Sequence, residues 1–436
     1  MTDTNPRFTV IIPTRDRAPY LARTLATCAL QEYDNLEVIV ADDCSRDNTR
    51  EVVESAARRD SRIRYVGRPQ NIGMLENFES VLSEARPGYV LALGGDDGLM
   101  PHGIRDMADA LKASGLEMLA WPTPVYFYAG VRTPSAQLVQ PASWGRLLRG
   151  DRTIDSREFL ARQARELSYV VDAESPMFYV KGVVSTALVD RVRQRTPGGQ
   201  FYACATPDGY SGIVLAGEVR TWAFRGQPLS LHGISPTSAG FGYLTNDDTA
   251  RAQSQAFFRQ AEQRPMHADL GRQPYSPLIA LMTADYLLTA RDLPGWPGQV
   301  PDIDYRRMLE KALGELKDGH FAPAGLAREL AILHGIAAHH GLDGWFRELV
   351  ARARRNAREP LEGNAISPRR LYLDATRLNL EDIVDAAYFT YALHRANAAL
   401  SLRTIADALV RSWRFRGLSS TPGTPFPPES EWMPKA

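Results

Sequence analysis

Two adjacent carboxylates, Asp96 and Asp97, follow an apolar run that begins at Tyr89 and is typical of a buried strand. A strand that ends in paired acids beside glycines places negative charge at the carboxyl edge of a sheet, where ligands bind in open α/β folds. Carboxylate oxygens suit Mg²⁺ or Mn²⁺, and such an ion usually accompanies a diphosphate. The pair is the strongest sign of chemistry in the chain; the alternative is two acids in a solvated turn at the end of a strand.

Polar residues also follow the first two predicted strands. Strand 8–14 is followed by Arg15, and strand 36–41 by Asp42 and Asp43. Because parallel strands point the same way, both turns should lie at the same edge as the acidic pair. A carboxylate there could bind a nucleobase or ribose, and backbone N–H groups at the next helix start could face phosphate. The alternative is that these acids only cap the next helix.

The first third of the chain alternates strands with helices, which predicts βαβ units and a mostly parallel sheet. The first strand run, 8–14, is continuous rather than alternating, as expected of a strand buried on both faces. The predicted strands are 8–14, 36–41, 63–66 and 89–93, and the predicted helices are 18–31, 45–58 and 74–84, with another opening at Pro101.

The rest of the chain divides into an irregular middle and a helical region. Residues 118–240 mix short apolar segments with loops of the kind that shape binding sites. Helical spacing with abundant Ala, Leu and Arg predicts helices at 278–289, 305–316, 326–338 and 383–398. We therefore predict an α/β domain over 1–240 and an α-helical domain over 241–436, which could form an acceptor site or pair subunits. The proline-rich stretch 421–428 is predicted to be a loose tail.

The composition of the 436 residues excludes several classes of protein. Lys plus Arg (51) equals Asp plus Glu (51), so no bulk charge attracts nucleic acid. Three widely spaced cysteines cannot form a disulfide framework or a zinc knuckle. No run approaches the ~18 apolar residues of a membrane-spanning helix, and the N-terminus is polar. These features predict a cytoplasmic, reduced protein without a transmembrane segment.

Four motifs occur in an order and spacing that resemble family 2 glycosyltransferases of the GT-A fold, over roughly residues 8 to 240. They are Val-Ile-Ile-Pro-Thr-Arg ending at Arg15, Glu-Val-Ile-Val-Ala-Asp-Asp-Cys-Ser-Arg-Asp-Asn-Thr ending at Thr49, Asn71-Ile-Gly73 with Asn77, and Gly-Asp-Asp-Gly-Leu-Met-Pro ending at Pro101. The resemblance implies a Rossmann-like mixed sheet followed by the helical domain. It also implies an inverting hexosyltransferase that uses a UDP-sugar and Mg²⁺ or Mn²⁺.

The resemblance assigns roles to individual residues. Thr14 falls where the family contacts uridine, Asp43 on the acid that bonds the uracil edge, and Asp96 and Asp97 on the motif that holds ribose and the metal. Of this pair we favour Asp97 as the metal ligand. Gly94 departs from the family pattern because it occupies the first acidic position of that motif. The residues expected to bind the nucleotide-sugar are Pro13, Thr14, Arg15, Asp43, Asn71, Asp96 and Lys181.

The expected catalytic base is Asp208, in a segment that predicts a helix start behind Pro207. A carboxylate there would deprotonate the acceptor hydroxyl as it attacks the anomeric carbon, which inverts that centre. A helix-capping role for Asp208 is compatible with this function. His232 is expected near the metal or the diphosphate, although a lone histidine is often structural. Lys181 could line the donor or the acceptor pocket.

The acceptor stays open between a polysaccharide, a natural product and a peptide. One rival function is a sugar-1-phosphate nucleotidyltransferase, but the turn after Pro13 lacks the glycine-rich loop that this class needs. A second rival is a non-catalytic scaffold that binds a nucleotide-sugar and recruits partners through its helices. The retained acids argue against it. A homo-oligomer formed through the helical domain is a further possibility.

Overall fold

The computed structural model describes residues 5–141, 150–238, 259–261, 263–318, 323–355, 363–366, 370–395 and 424–433. Strands from the first half of the chain form most of two sheets. In chain order the strands are β1 (Phe8–Thr14), β2 (Leu36–Asp42), β3 (Ile63–Gly67), β4 (Tyr89–Ala92), β5 (Gly98–Leu99), β6 (Met118–Ala120), β7 (Val125–Phe127), β8 (Gln137–Pro141), β9 (Arg152–Asp155), β10 (Gly182–Ser185), β11 (Thr221–Phe224), β12 (Ser230–Ile234), β13 (Arg354–Arg355), β14 (Ala365–Ile366), β15 (Arg370–Asp374) and β16 (Thr424–Pro425).

The larger sheet has eight strands in the order β3-β2-β1-β4-β10-β6-β11-β9. Its first four strands are parallel, and β10 then runs antiparallel to both β4 and β6. The apolar residues of β1 are fully buried because helices cover both faces of the sheet. The parallel half and the mixed sheet confirm the predicted fold class, and the parallel register brings Thr14 level with Asp42 at one edge.

Helices flank this sheet and continue into a mainly helical region. They are α1 (Ala18–Ala29), α2 (Thr49–Arg59), α3 (Met74–Leu82), α4 (Gly103–Ser114), α5 (Ser156–Glu166), α6 (Thr186–Arg195), α7 (Pro207–Glu218), α8 (Ile279–Arg291), α9 (Tyr305–Asp318), α10 (Pro323–His339), α11 (Asp343–Arg352) and α12 (Ile383–Arg395). We call α8 to α12 the helical region. The predicted helix at Pro101 instead begins at Gly103, because a turn closed by Gly103 N and Met100 O precedes it and His102 adopts a left-handed conformation (φ 60°).

The smaller sheet has the order β14-β15-β8-β7-β12-β5 and joins the two halves of the chain. Strand β15 pairs antiparallel with β8, and the hydroxyl of Tyr126 on β7 donates to Leu380 O (3.0 Å). Strands β12 and β5 pair next to the acidic turn, which brings the residues of β12 over Asp97. The predicted boundary at residue 240 stays a prediction, but the two halves pack directly against each other.

The predicted loose tail is wrong for the part that the structure describes. Thr424–Pro425 pairs with Arg354–Arg355, and Phe426 and Trp432 are buried. Apolar side chains among the prolines hold this segment against the core. Among the described residues, no helix has both the length and the apolar character to cross a membrane.

Candidate active site

The acidic pair lies in a buried turn between β4 and β5 rather than in a solvated one. Asp97 is fully buried, and its Oδ2 accepts from Gly94 N (2.6 Å). Its Oδ1 accepts from Gly233 N (2.8 Å) and lies 2.9 Å from Nδ1 of His232. Backbone amides that point at one carboxylate stabilise its negative charge without any cation.

Asp96 is stabilised differently, by a cation and two hydroxyl groups. Arg17 Nη1 donates to Asp96 Oδ2 (2.6 Å), and the hydroxyls of Ser235 and Ser238 donate to the same oxygen (2.7 Å each). Burial raises the pKa of Asp96, but the guanidinium and the hydroxyls outweigh burial and hold the pKa below its ordinary value. The other oxygen, Oδ1, accepts no hydrogen bond from the described residues.

His232 lies beside both acids because β12 pairs with β5, the short strand that directly follows Asp97. Burial alone would lower the pKa of His232, but the nearby charges of Asp97, Asp96 and Asp208 raise it above its ordinary value. The imidazole therefore gains a proton easily at this position. In the protonated form the imidazole can contact an anion such as a diphosphate, and in the neutral form it can be a ligand of a metal ion.

Asp208 lies in the first turn of α7, directly after Pro207, where proline is tolerated. Its Oδ1 accepts from Gly209 N (2.8 Å), and the side chain is half-buried. Burial raises its pKa, although backbone hydrogen bonds and His232 oppose the rise. A carboxylate with a raised pKa is a stronger base than an ordinary aspartate, which is what deprotonation of a hydroxyl requires.

The helical region forms the wall behind Asp208. The ring of Tyr286 on α8 covers Gly209 so closely that a side chain at that position would overlap with it. The Tyr286 hydroxyl also lies 2.5 Å from Oγ1 of Thr206, the residue before α7. Residues from both halves of the chain therefore fix the position of Asp208.

Pro13, Thr14 and Arg15 lie at the carboxyl end of β1, as predicted. Thr14 is buried, and its Oγ1 has no hydrogen-bond partner among the described residues although it lies near Gly95, in the turn that carries Asp96. This hydroxyl can therefore form a hydrogen bond with a ligand or with water. The half-exposed Arg15 lies 3.5 Å from Asp16.

Asp43 binds the chain itself. Its carboxylate accepts from Asn71 Nδ2 (2.6 Å), Ile72 N (2.7 Å) and Gly73 N (3.0 Å). It therefore holds the start of α3 and does not cap α2, which begins later, after Asn48. Asn71 belongs to the same turn, which is why its side chain lies beside Asp43.

The structure does not place Lys181 with the acidic pair. Its ammonium group donates to Asp172 O (2.8 Å), in the loop before β10, and the side chain is buried. Sequence reasoning in turn missed Arg17, Ser235 and Ser238, which surround Asp96. The signal available was the segment that begins at Ser235, a short run of hydroxyl residues directly after His232.

The residues present fit a divalent ion only as part of a shared set of ligands. Among the described residues, no three His, Cys, Asp or Glu side chains converge into a metal site. Asp97 and His232 nevertheless lie together, and Asp96 Oδ1 accepts no hydrogen bond from the part of the chain that the structure describes. Mg²⁺ normally keeps only one or two carboxylate ligands and takes the rest from phosphate and water. The donor set is consistent with that arrangement.

Comparison with known proteins identifies the family of one segment of the chain. Residues 9–167 match the family described as glycosyl transferase family 2. This segment of the chain belongs to that family. The family 2 segment contains the turns after β1, β2 and β4, and therefore the acidic pair and Asp43, whereas Asp208 and His232 lie beyond the matched residues.

Among curated relatives, GalNAc(5)-diNAcBac-PP-undecaprenol beta-1,3-glucosyltransferase of Campylobacter jejuni is 33% identical over 96 residues, which is 22% of this chain and 31% of the relative. The putative teichuronic acid biosynthesis glycosyltransferase TuaG of Bacillus subtilis is 32% identical over 97 residues, 22% of this chain and 38% of the relative. The chain thus spans about a third of the length of these relatives.

Among solved structures, S. aureus TarS 1-349 in complex with UDP-GlcNAc covers 83% of this chain and 98% of its own length, with 13% identity and a TM-score of 0.41. The mannosyltransferase PcManGT from Pyrobaculum calidifontis, in complex with GDP-Man and Mn²⁺, covers 88% of this chain and 86% of its own length, with 15% identity and a TM-score of 0.38.

Proposed function

We propose that the chain is an inverting glycosyltransferase that transfers a sugar from a UDP-sugar to a hydroxyl group of an acceptor. The observation that carries the proposal is that His232 lies between the acidic pair and Asp208 in its interactions. His232 Nδ1 lies 2.9 Å from Asp97 Oδ1, and His232 and Asp208 are close enough to shift each other's pKa, so the donor-binding groups and the base belong to one group of interacting residues. Membership of the family 2 segment supports the same reaction.

Asp208 acts as the general base in this proposal. The half-buried carboxylate takes the proton of the acceptor hydroxyl, whose oxygen attacks the anomeric carbon as the bond to the diphosphate breaks. Attack from the face opposite the leaving group inverts the anomeric centre. The aromatic residues behind Asp208 exclude water and thereby favour transfer to the acceptor over hydrolysis.

Asp97, His232 and Asp96 Oδ1 would hold Mg²⁺ or Mn²⁺ together with the diphosphate. When bound, the ion supplies positive charge that stabilises the departing nucleoside diphosphate. Arg17 keeps Asp96 ionised, and Gly94 N and Gly233 N keep the carboxylate of Asp97 fixed. These contacts orient the two acids before any ligand enters.

The uridine would lie at the carboxyl ends of β1 and β2. The Thr14 hydroxyl is available for a ligand, whereas Asp43 already accepts three hydrogen bonds and would contact uracil through its remaining acceptor capacity. Pro13, Arg15 and Asn71 would line the same pocket. Lys181, which directly precedes β10, stays a proposed pocket residue. The acceptor is a polysaccharide, a natural product or a peptide.

The test is replacement of Asp208 by Asn, followed by measurement of sugar transfer and of UDP binding with MnCl₂. Loss of a general base should lower kcat by about 10² to 10⁴, and UDP affinity should stay close to that of the unmodified chain. Asp190→Asn, an exposed acid on α6, is the control and should leave both quantities unchanged.

The outcome separates the proposal from its rivals. Unchanged turnover in Asp208→Asn would remove the proposed base. A chain that binds UDP-sugars but neither transfers nor hydrolyses them would be a scaffold. Pyrophosphorolysis of a UDP-sugar to a sugar 1-phosphate would identify a nucleotidyltransferase. A screen of UDP- and GDP-sugars by thermal stabilisation would identify the donor.

A further inference from the structure

Gly94 occupies the position of the first acid in the family motif. The Tyr179 hydroxyl fills the space that a side chain at position 94 would take. A Cβ built on Gly94 would overlap with the hydroxyl oxygen of Tyr179, and its next nearest atoms are Asp96 Oδ1 and Asp97 Oδ2, both at 3.1 Å. The phenol therefore reaches the acidic turn from a segment 85 positions downstream. No other part of the Tyr179 ring comes as close to that Cβ.

The backbone around Tyr179 holds the ring in this place. Val180 N donates to Ala92 O (2.8 Å) at the end of β4, and Phe178 N donates to Ser211 Oγ (3.1 Å) on α7. Val180 has a φ of 57°, which β-branched residues rarely adopt. Such a conformation persists where the surrounding contacts fix it and is frequent at ligand sites.

The Tyr179 hydroxyl lies beside the turn that carries the acidic pair. The ring packs edge-on against His232 (centroids 5.9 Å apart) and is tilted against Phe78 (6.2 Å). Within the described residues, no group forms a hydrogen bond with the hydroxyl. The backbone on either side of Tyr179 is held by one hydrogen bond to β4 and one to α7. The hydroxyl itself has no partner among the described residues and can therefore bind a ligand.

We propose that the Tyr179 hydroxyl replaces the missing acid and donates a hydrogen bond to the diphosphate of the donor. This inference rests on the proposed function, because it concerns the same group of residues. A carboxylate at position 94 would add a third negative charge beside Asp96 and Asp97 and could not donate. The neutral phenol removes that charge and adds a donor, so it binds an anionic group that a carboxylate would repel.

Three variants test whether the Tyr179 hydroxyl replaces the missing acid: Tyr179→Phe, Gly94→Ala and the double variant. Tyr179→Phe removes only the hydroxyl and should weaken UDP binding with MnCl₂ about tenfold, the effect of losing one charge-assisted hydrogen bond. Gly94→Ala should weaken it similarly, because the new Cβ displaces the hydroxyl. In the double variant the overlap with the hydroxyl is absent and the Cβ meets only Asp96 Oδ1 and Asp97 Oδ2 at 3.1 Å, so the loss should be close to that of Tyr179→Phe alone and smaller than the product of the two.

Tyr210→Phe is the matched control. The Tyr210 hydroxyl is buried and has no hydrogen-bond partner among the described residues, but it lies on α7 and is not among the nearest atoms to a Cβ at position 94. Its removal should leave UDP affinity unchanged. Calorimetric titration gives the affinities, and thermal unfolding shows whether each variant is folded. If Tyr179→Phe did not fold, Gly94→Ala would still report the loss of the hydroxyl contact.

Titration with uridine alone tests which part of the donor is contacted. The inference requires that Tyr179→Phe weakens UDP binding and leaves uridine binding unchanged. Equal losses for UDP and uridine would place the contact at the nucleoside and overturn the assignment to the diphosphate. Unchanged UDP affinity in Tyr179→Phe, or losses that multiply in the double variant, would also overturn it. Failure of the unmodified chain to bind UDP would instead refute the proposed function together with this inference.

Discussion

The rim of the larger sheet and the helical region both bury acidic side chains, but they stabilise them by different means. At the rim, a guanidinium and two hydroxyls hold Asp96 ionised, and its pKa is lowered. In the helical region, Glu315 accepts from Ile279 N (2.6 Å) and Ala280 N (3.0 Å) at the start of α8. Burial raises the pKa of Glu315 to about 7, because the backbone amides and Lys311 offset only part of the burial.

The difference indicates what each region does. A carboxylate that stays charged can act on a cation or a polar ligand, and the hydrogen bonds that Asp96 accepts from the described residues converge on Oδ2, so Oδ1 keeps its acceptor capacity for a ligand. Glu315 instead uses both carboxylate oxygens to accept from backbone N–H groups at the start of α8, as a helix-capping side chain does. The rim is therefore organised for binding and the helical region for support.

The largest expected effect comes from Arg17→Ala at the rim. It would leave the buried charge of Asp96 without its cation, which should lower the free energy of unfolding by about 3–5 kcal/mol. Urea denaturation measures this loss. Arg50→Ala, which breaks an exposed pair with Glu54, is the control and should change stability very little. Equal effects of the two substitutions would show that the rim is not electrostatically organised.

A second, somewhat smaller effect concerns the pH dependence of Glu315. Its folded pKa (about 7) lies above its ordinary value of 4.5, so the folded state binds the proton more tightly, and stability falls as pH rises from 4.5 to 7. This group should contribute a decrease of about 3 kcal/mol over that range. In Glu315→Gln, the free energy of unfolding measured by urea denaturation at several pH values should not show this decrease.

Glu310→Gln, on an exposed position of the same helix, is the control for loss of a negative charge. If both variants kept the full slope of the unmodified chain, Glu315 would be ionised equally in the folded and unfolded states, and the contrast with Asp96 would disappear.

The smallest effect tests how tightly the two regions pack. A Cβ on Gly217 of α7 would overlap with the ring of Trp296, whose Nε1 donates to Val214 O (2.9 Å). Gly217→Ala should therefore destabilise the chain by about 1–3 kcal/mol. A Cβ on Gly314 of α9 meets no atom within 4 Å, so Gly314→Ala should stabilise the chain by up to about 1 kcal/mol. Opposite signs in thermal unfolding confirm the packing, and a gain in both variants would contradict it.

The sequence predicted those parts of the site that depend on local pattern. Continuous apolar runs identified β1, β2 and β4, and the parallel arrangement then brought the turns after these strands to one edge. The start of α2 was predicted four residues early, because Ser45 N donates to Asp42 Oδ1 (3.0 Å) and Thr49 N donates to Asp47 Oδ1 (3.1 Å). These side chains stabilise a turn in a stretch rich in residues that also cap helices.

Contacts between distant positions could not be predicted. Arg17 and Asp96 are 79 positions apart, and Ser235 is a further 139 from Asp96. No local pattern encodes which arginine reaches which carboxylate. Tyr179 was missed for the same reason, since the glycine at position 94 indicated only that an acid was absent. The burial of Trp432 depends on helices that a single sequence does not place in space.

The pairing of β15 with β8 has a practical consequence. All five residues of β15 pair with residues of β8. Strand β8 also contacts α12, because Gln140 Nε2 donates to Thr390 Oγ1 (2.6 Å). A truncated chain that stops near residue 240 would leave β8 as a bare edge, open to pairing with other molecules. Recombinant fragments designed around the catalytic half should therefore aggregate unless they retain residues 370–395.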